Sequence, residues 1–360
     1  MLKGVKVLDL SRVLAGPLCT MQLGDLGADV LKVERPDGGD ETRSWGPPFD
    51  ARGESAYFMS VNRNKLSLAL DLDRPADIAM VRALMSGADV VVENFRPGAL
   101  ARRGLDADTI RSLHPALVWC TIGGFANDPA RPGYDFVVQA ESGWMSITGD
   151  PDGAPMKHGV ALVDVIAGKD ATIAILAALV SRSRTGHGAT LNVWLSNSAE
   201  AALVNVAQNA LVSGNPPRRW GNAHANLVPY ELFRAEDRGL VIAVGSDGQW
   251  VACARALGLA DLADDESLRT NAGRLAQRDR IVSALRDRVR QRTAAEWRVR
   301  LDTAGVPCGI VRSVPEMLEE RDASAVTGMP PGAAGSVRRD PPLLGEHDAL
   351  VRERGWGAFS

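Results

Sequence analysis

A chain of 360 residues exceeds one ordinary domain, and its 45% hydrophobic and 24% charged residues supply a large core, which excludes a disordered protein. A net charge of -3 removes the electrostatic case for nucleic acid, although local basic spots can still meet a phosphorylated small molecule. The longest apolar stretch, around Ile173 to Val180, is far too short to cross a bilayer, so no membrane partner is expected.

Val5 to Leu10 reads as a short strand that ends at Ser11, and Ala15-Gly16-Pro17 then opens a helical segment through Leu26. Asp29 to Glu34 is a second strand, so the first 34 residues form a βαβ unit with parallel strands. The pattern repeats with a strand from Ser67 to Asp71, a helix from Pro75 to Ser86 and a strand from Ala88 to Glu93. A helix near Ala107 to Leu113 and a strand from Leu117 to Ile122 follow. Nearly unbroken Val, Ile and Leu strands imply burial on both faces. The fold class expected is α/β, a Rossmann-like doubly wound large domain.

Further along come an apolar helix from Asp170 to Arg182, a strand from Thr190 to Leu195 and a long helical region from Ser198 to about Val212. Gly, Pro and Arg then crowd residues 213–219, the expected linker. A strand-like run from Gly239 to Gly245, helices near Gln249 to Leu257, Leu275 to Arg290 and Ala294 to Ala304, and a strand from Cys308 to Val311 predict a smaller α/β domain over 220–325. A Gly/Pro-rich second linker, 326–342, precedes a short helix near His347 to Arg354.

Four scattered cysteines form no CxxC pair or zinc spacing, and the five histidines do not pair at ligand spacing, so no metal is expected. The N-terminus enters a strand directly, without a secretory pattern, and a cytoplasmic protein is expected. The turn after the first strand is not GxGxxG, which leaves a nicotinamide reading without its fingerprint. Arg35, Arg96 and Arg102 follow strand ends, where open α/β sheets collect ligands and guanidinium groups suit phosphate. Any one of them alone reads as a solvated rim.

Asp164 sits inside the apolar run Gly159 to Gly168. A buried carboxylate must be paired, hydrogen-bonded or protonated. On pattern alone it is the N-cap of the helix expected at Asp170. If it lies instead in a cleft at a helix start, its ionised form could attack a thioester carbonyl. His158, six residues earlier, is the histidine nearest to it in sequence.

Several strings, in order over nearly the whole chain, resemble one family. They are Leu8 to Pro17, Leu23 to Pro36, Gly39 to Arg43, Asn62 to Lys65, Val92 to Gly98, Pro132 to Asp135, Gly159 to Gly168 and Pro342 to His347. Together they are similar to the class III CoA-transferases, the CaiB/BaiF or formyl-CoA transferase type. The resemblance implies an enzyme whose substrate is an acyl-CoA, with a small carboxylic acid as acceptor and Asp164 as covalent nucleophile. It implies that Arg35, Leu70, Asn94, Phe95 and Arg102 line the coenzyme A pocket, and that Tyr134, Tyr57 and Trp45 are active-site aromatics. His224, in Gly221-Asn222-Ala223-His224, would line the acyl side. It also implies an interlocked, ring-like homodimer, each large domain comprising 1–212 completed by 335–360.

The glycine-rich loop of the formyl branch has no counterpart here, which points away from formyl-CoA and oxalate. Ile147 to Pro151 and Gly221 to His224 are most similar to succinyl-CoA-dependent dicarboxylate transferases. Position 12 is Arg where the formyl branch has His. The racemase branch carries His before Asp where this chain has Tyr134-Asp135, and a tyrosine of pKa ~10 replaces poorly a histidine of ~6.5 in proton abstraction. The alternatives that stay open are an α-methylacyl-CoA racemase or epimerase, and a CoA-binding protein without catalysis.

Overall fold

The computed structural model describes residues 1–320, 328 and 335–360. The chain divides into two units, one of Met1–Met145, Lys157–Pro216 and the C-terminal segment, the other of Ser146–Met156 and the stretch beginning at Pro217.

In the first unit the elements run β1 (Lys6–Asp9), α1 (Ala15–Asp25), β2 (Asp29–Glu34), β3 (Lys65–Ala69), α2 (Pro75–Ser86), β4 (Val90–Glu93), α3 (Ala107–Leu113), β5 (Val118–Gly123), α4 (Asp135–Glu141), α5 (Leu162–Thr185), β6 (Thr190–Trp194), α6 (Leu195–Ala201) and α7 (Val204–Ser213). The strands form one six-stranded sheet in the order β3-β2-β1-β4-β5-β6, every pair parallel. Strand alternation explains both layers around it. Val7, Val30, Val90, Val92, Val118 and Cys120 face α1 and α5. Their neighbours Leu8, Leu31, Leu66, Leu68, Val91 and Trp119 pack on the opposite side, with Val81 and Leu84 of α2 and Ile110 of α3. Burial of both faces accounts for the unbroken apolar strands. The order reverses between β1 and β4, and in such sheets ligands bind beyond the carboxyl ends of the strands at that crevice.

Two of the three lysines in these strands, Lys32 and Lys65, are fully buried. Lys32 donates to Asp40 (3.1 Å) and to the Ser11 carbonyl (2.8 Å); Lys65 donates to Asp9 (2.9 Å), the Pro17 carbonyl (2.9 Å) and Asn62 (2.8 Å). Burial alone would raise the Asp9 carboxyl, but Lys65, Lys32 and the Ser11 and Thr20 hydroxyls outweigh it and hold it well below the usual carboxylate range. The segments on either side of β1 are thereby pinned to the sheet by charge.

The second unit holds an antiparallel sheet of β7 (Tyr230–Arg234), β8 (Gly239–Ala243) and β9 (Cys308–Ile310), in that order. The helices α8 (Asp247–Ala256), α9 (Arg278–Val289) and α10 (Ala294–Thr303) pack around Trp250, Leu285, Trp297 and Leu301. Back in the first unit, α11 (Asp348–Arg354) lies against the edge strand β3. Ser67 and Ala69 donate their N–H groups to His347 Nδ1 (3.3 Å) and Asp348 (2.8 Å), so this edge is covered. No helix among the described residues is long and apolar enough to cross a membrane.

Several expected boundaries move. The helix expected from Asp170 begins at Leu162, so Asp164 is not its N-cap. The region expected as one helix from Ser198 is two, α6 and α7, separated near Val204, whose φ is +38°. Strand β7, absent from the sequence reading, is an edge strand with mixed residues and only one side paired. Of the linker expected over 326–342, residues 326, 327 and 329–334 lie outside the described residues.

Candidate active site

The turn after β1 is strained and tightly held. Val13 has φ +73°, a conformation that β-branched residues rarely adopt and that clusters at functional sites. Its N–H donates to both Asp40 oxygens (3.3 and 3.2 Å), and Asp40 is fixed in turn by Lys32. Across the switch point, the Asn94 side chain clamps Arg12: its carbonyl oxygen accepts from the Arg12 N–H (3.0 Å) and its amide donates to the Arg12 carbonyl (2.8 Å).

The end of β5 adds a backbone wall. A Cβ on Gly133 would lie 2.4 Å from Gly124 Cα, and one on Gly124 would lie 2.6 Å from Gly133 Cα, so these two segments meet where only glycine fits. Tyr134 follows and is 59% exposed. Asp135 then opens α4, and its Oδ1 accepts from the N–H groups of Val163 (2.8 Å) and Asp164 (3.3 Å). Those are orphan donors of the first turn of α5, so the cap of this helix comes from a distant residue.

Asp164 itself is thereby free for other work. Gly168, one turn on, explains its placement: a Cβ there would come within 2.7 Å of the Ala15 carbonyl, so α5 lies directly against α1. Asp164 is 9% exposed, and among the described residues no donor hydrogen-bonds its carboxylate. Burial, and next the Asp135 carboxylate, push its pKa up to about 7. It lines a cavity of about 460 Å³ together with Arg12, Val13, Glu41, Asn94, Phe95, Arg96, Arg131 and Tyr134. A second cavity of about 250 Å³, lined by Trp119, Trp194 and Asp106, shares Phe95, Arg96, Gly123 and Pro129 with the first. The two form one groove along the carboxyl ends of the central strands. A carboxylate that is desolvated, unpaired and half-ionised at neutral pH is suited to nucleophilic attack rather than to structural support.

The sequence model described as CoA-transferase family III matches residues 2–348. The chain belongs to this family. A succinate–glutarate CoA-transferase from Agrobacterium fabrum is 41% identical over 377 residues, covering 97% of this chain and 94% of the relative. A succinyl-CoA:glutarate CoA-transferase from Mus musculus is 40% identical over 368 residues, covering 96% and 84%. Among solved structures, a CaiB/BaiF family protein from Brucella suis superposes with a TM-score of 0.86 at 39% identity, covering 98% of each chain.

Of the residues that the family resemblance implicated, the structure brings Asp164, Asn94, Phe95 and Tyr134 into one cavity. Tyr57 is close enough that burial and then the charges of Asp164, Asp135 and Asp40 push its hydroxyl up to about 12, which keeps it a donor. Trp45 meets Tyr57 edge-on at 5.1 Å. Arg35 and Arg102 are exposed and do not line either cavity; Arg35 donates to the Gly39 carbonyl (3.0 Å). Leu70, 1% exposed, lies in the apolar layer with Leu68 and Val81. His224 belongs to the second unit, where its ring packs on Tyr230 at 5.2 Å. His158 is exposed beside Trp144. Sequence reasoning gave no role to Arg12, Glu41 or Asp135 in a CoA-transferase. Asp135 is the first residue of α4, and nothing local to it announces that it caps α5.

Proposed function

We propose that this family III CoA-transferase moves coenzyme A from an acyl-CoA donor, succinyl-CoA, to a short dicarboxylic acid through covalent intermediates on Asp164. The observation that carries this reading is the unpaired, buried Asp164 carboxylate facing the groove at the strand ends. The names of the two glutarate-using relatives support the choice of donor and acceptor class.

The steps balance without redox chemistry. An Asp164 oxygen attacks the thioester carbonyl and expels the CoA thiolate, leaving an acyl–aspartyl anhydride. The thiolate attacks the aspartyl carbonyl, releases the donor as its free carboxylate and leaves an aspartyl-CoA thioester. The acceptor carboxylate then attacks that carbonyl, expelling the thiolate again and giving a second anhydride. Attack of the thiolate on the acceptor's carbonyl forms the new acyl-CoA and restores Asp164. An aspartate suits both halves, because it is a nucleophile and, as an anhydride, a good leaving group. Exclusion of water protects the anhydrides from hydrolysis.

In this reading Asn94 and Phe95 line the pantetheine arm and Arg96 meets phosphate within the groove, while Arg35 and Arg102 meet phosphates from outside the two cavities. The first unit, including its C-terminal segment, is the CoA-binding domain. The subunits form an interlocked homodimer, consistent with the apolar residues Val204, Leu211 and Val212 that α7 leaves 69%, 78% and 79% exposed in the single chain. The protein works in the cytoplasm.

A matrix of acyl-CoA donors and carboxylic acceptors tests the reading, with transfer from succinyl-CoA to glutarate as the expected positive. Deuterium wash-in at the α-carbon of a 2-methylacyl-CoA, without CoA exchange, would select a racemase instead. The acylation step also has a defined pH dependence. Since Asp164 must be ionised to attack and titrates near 7, single-turnover acylation is expected to rise about tenfold from pH 6 to pH 8. Asp135→Asn should move that midpoint to lower pH, because the neighbouring negative charge is removed. A flat rapid-quench profile over this range would contradict the assigned nucleophile.

A further inference from the structure

We infer that Arg12 is the specificity-determining residue that binds the distal carboxylate of the dicarboxylic acceptor; this rests on the transferase reading and deepens it. Three arginines line the cavity that contains Asp164. Arg131 is engaged by both of its terminal nitrogens with Glu141. Arg96 also lines the second cavity, away from Asp164, which places it toward the carrier end of the groove. Arg12 and Arg131 lie only in the Asp164 cavity, and of the two Arg12 is the one with just a single terminal nitrogen held by a carboxylate.

Its geometry fits that task. One terminal nitrogen donates to Glu41, while Nε is buried without an acceptor, and the side chain is 40% exposed. Glu41 has a matching deficit: its Oε2 is also buried without a donor. Glu41 fixes one end of the guanidinium through Nη1 and leaves Nη2, which no acceptor among the described residues engages, to meet a carboxylate in the cavity. The clamp of Asn94 on the Arg12 backbone and the strained Val13 hold this residue in one place. The site is thus prepared before the ligand arrives, at the cost of local strain.

Glutarate and valerate share a five-carbon chain and differ in one terminal carboxylate, which makes them the pair to compare. For the full-length enzyme, the ratio of kcat/KM for glutarate over valerate is expected to fall about 100-fold in Arg12→Gln, mostly through KM for glutarate. Arg12→Lys keeps the charge and loses the planar guanidinium that Glu41 holds in place, so its ratio should fall about tenfold. Equilibrium titration of the same proteins with glutarate and valerate gives a readout that needs no turnover, and the glutarate preference should vanish in Arg12→Gln. An equal loss on both acceptors, or a glutarate preference that persists in Arg12→Gln and Arg12→Lys, overturns the assignment and gives Arg12 to the CoA moiety or the reacting carbonyl. Failure of the wild type to transfer CoA to any acceptor would count against the transferase reading, while the titration still decides the role of Arg12.

Discussion

Asp164→Asn is expected to lower CoA transfer by at least about 10⁴-fold while the protein still folds and binds CoA. An amide cannot form the anhydride, and removal of a nucleophile that no neighbour replaces loses most of the catalytic effect. The same substitution should stabilise the fold in a pH-dependent way. The folded Asp164 pKa of about 7 lies above its ordinary value of 3.8, so the native state holds this proton more tightly than the unfolded chain. Wild-type stability therefore falls as pH rises from about 4 to about 7, by on the order of 4 kcal/mol, and the deficit persists above that window. Asn carries no such deficit. Denaturation at pH 4.5 and pH 8 should show the variant gaining on the wild type only at the higher pH. A helix cap, by contrast, would lose stability on substitution.

Lys65→Met is expected to destabilise the first unit by about 3–5 kcal/mol. The lysine is fully buried and donates to Asp9, Asn62 and the Pro17 carbonyl, so its removal leaves three acceptors short and Asp9 with one fewer counter-charge. Asp9 also receives the Ser11 N–H at 2.9 Å, so the loosened charge sits two residues from the turn that carries Arg12 and Val13. Activity should fall along with stability. Lys65→Met combined with Asp9→Asn should recover part of the loss of stability, because no lone charge remains and the amide oxygen still accepts from Ser11 or Thr20. Denaturation followed by tryptophan fluorescence reads both variants. A loss under about 1 kcal/mol in the single variant would mean that Asp9 is held by its other partners.

The parallel sheet was legible because burial on both faces leaves an unmistakable trace, as in Ala88 to Glu93 and Leu117 to Ile122. The start of α5 was not, because Gly168 and Asp170 imitate a helix beginning. Gly168 is in fact a packing residue against Ala15, and the true cap, Asp135, stands 29 residues before Asp164. No local pattern reports a cap supplied from that distance. Local periodicity is equally silent on the Arg12–Glu41 pair, which spans 29 positions. Lys32 and Lys65 did carry a readable signal: a lysine within a strand buried on both faces requires a partner charge. The identity of Asp164 as more than a cap came from family resemblance, and its burial and lack of a hydrogen-bond donor give that resemblance a physical basis.

The most direct measurement is capture of the covalent carboxylate. Incubation with succinyl-CoA and hydroxylamine, followed by peptide mass spectrometry, should convert Asp164 alone to its hydroxamate, and the yield should depend on the donor. An unmodified Asp164 peptide under conditions of active transfer, or a hydroxamate at another carboxylate, would contradict the account.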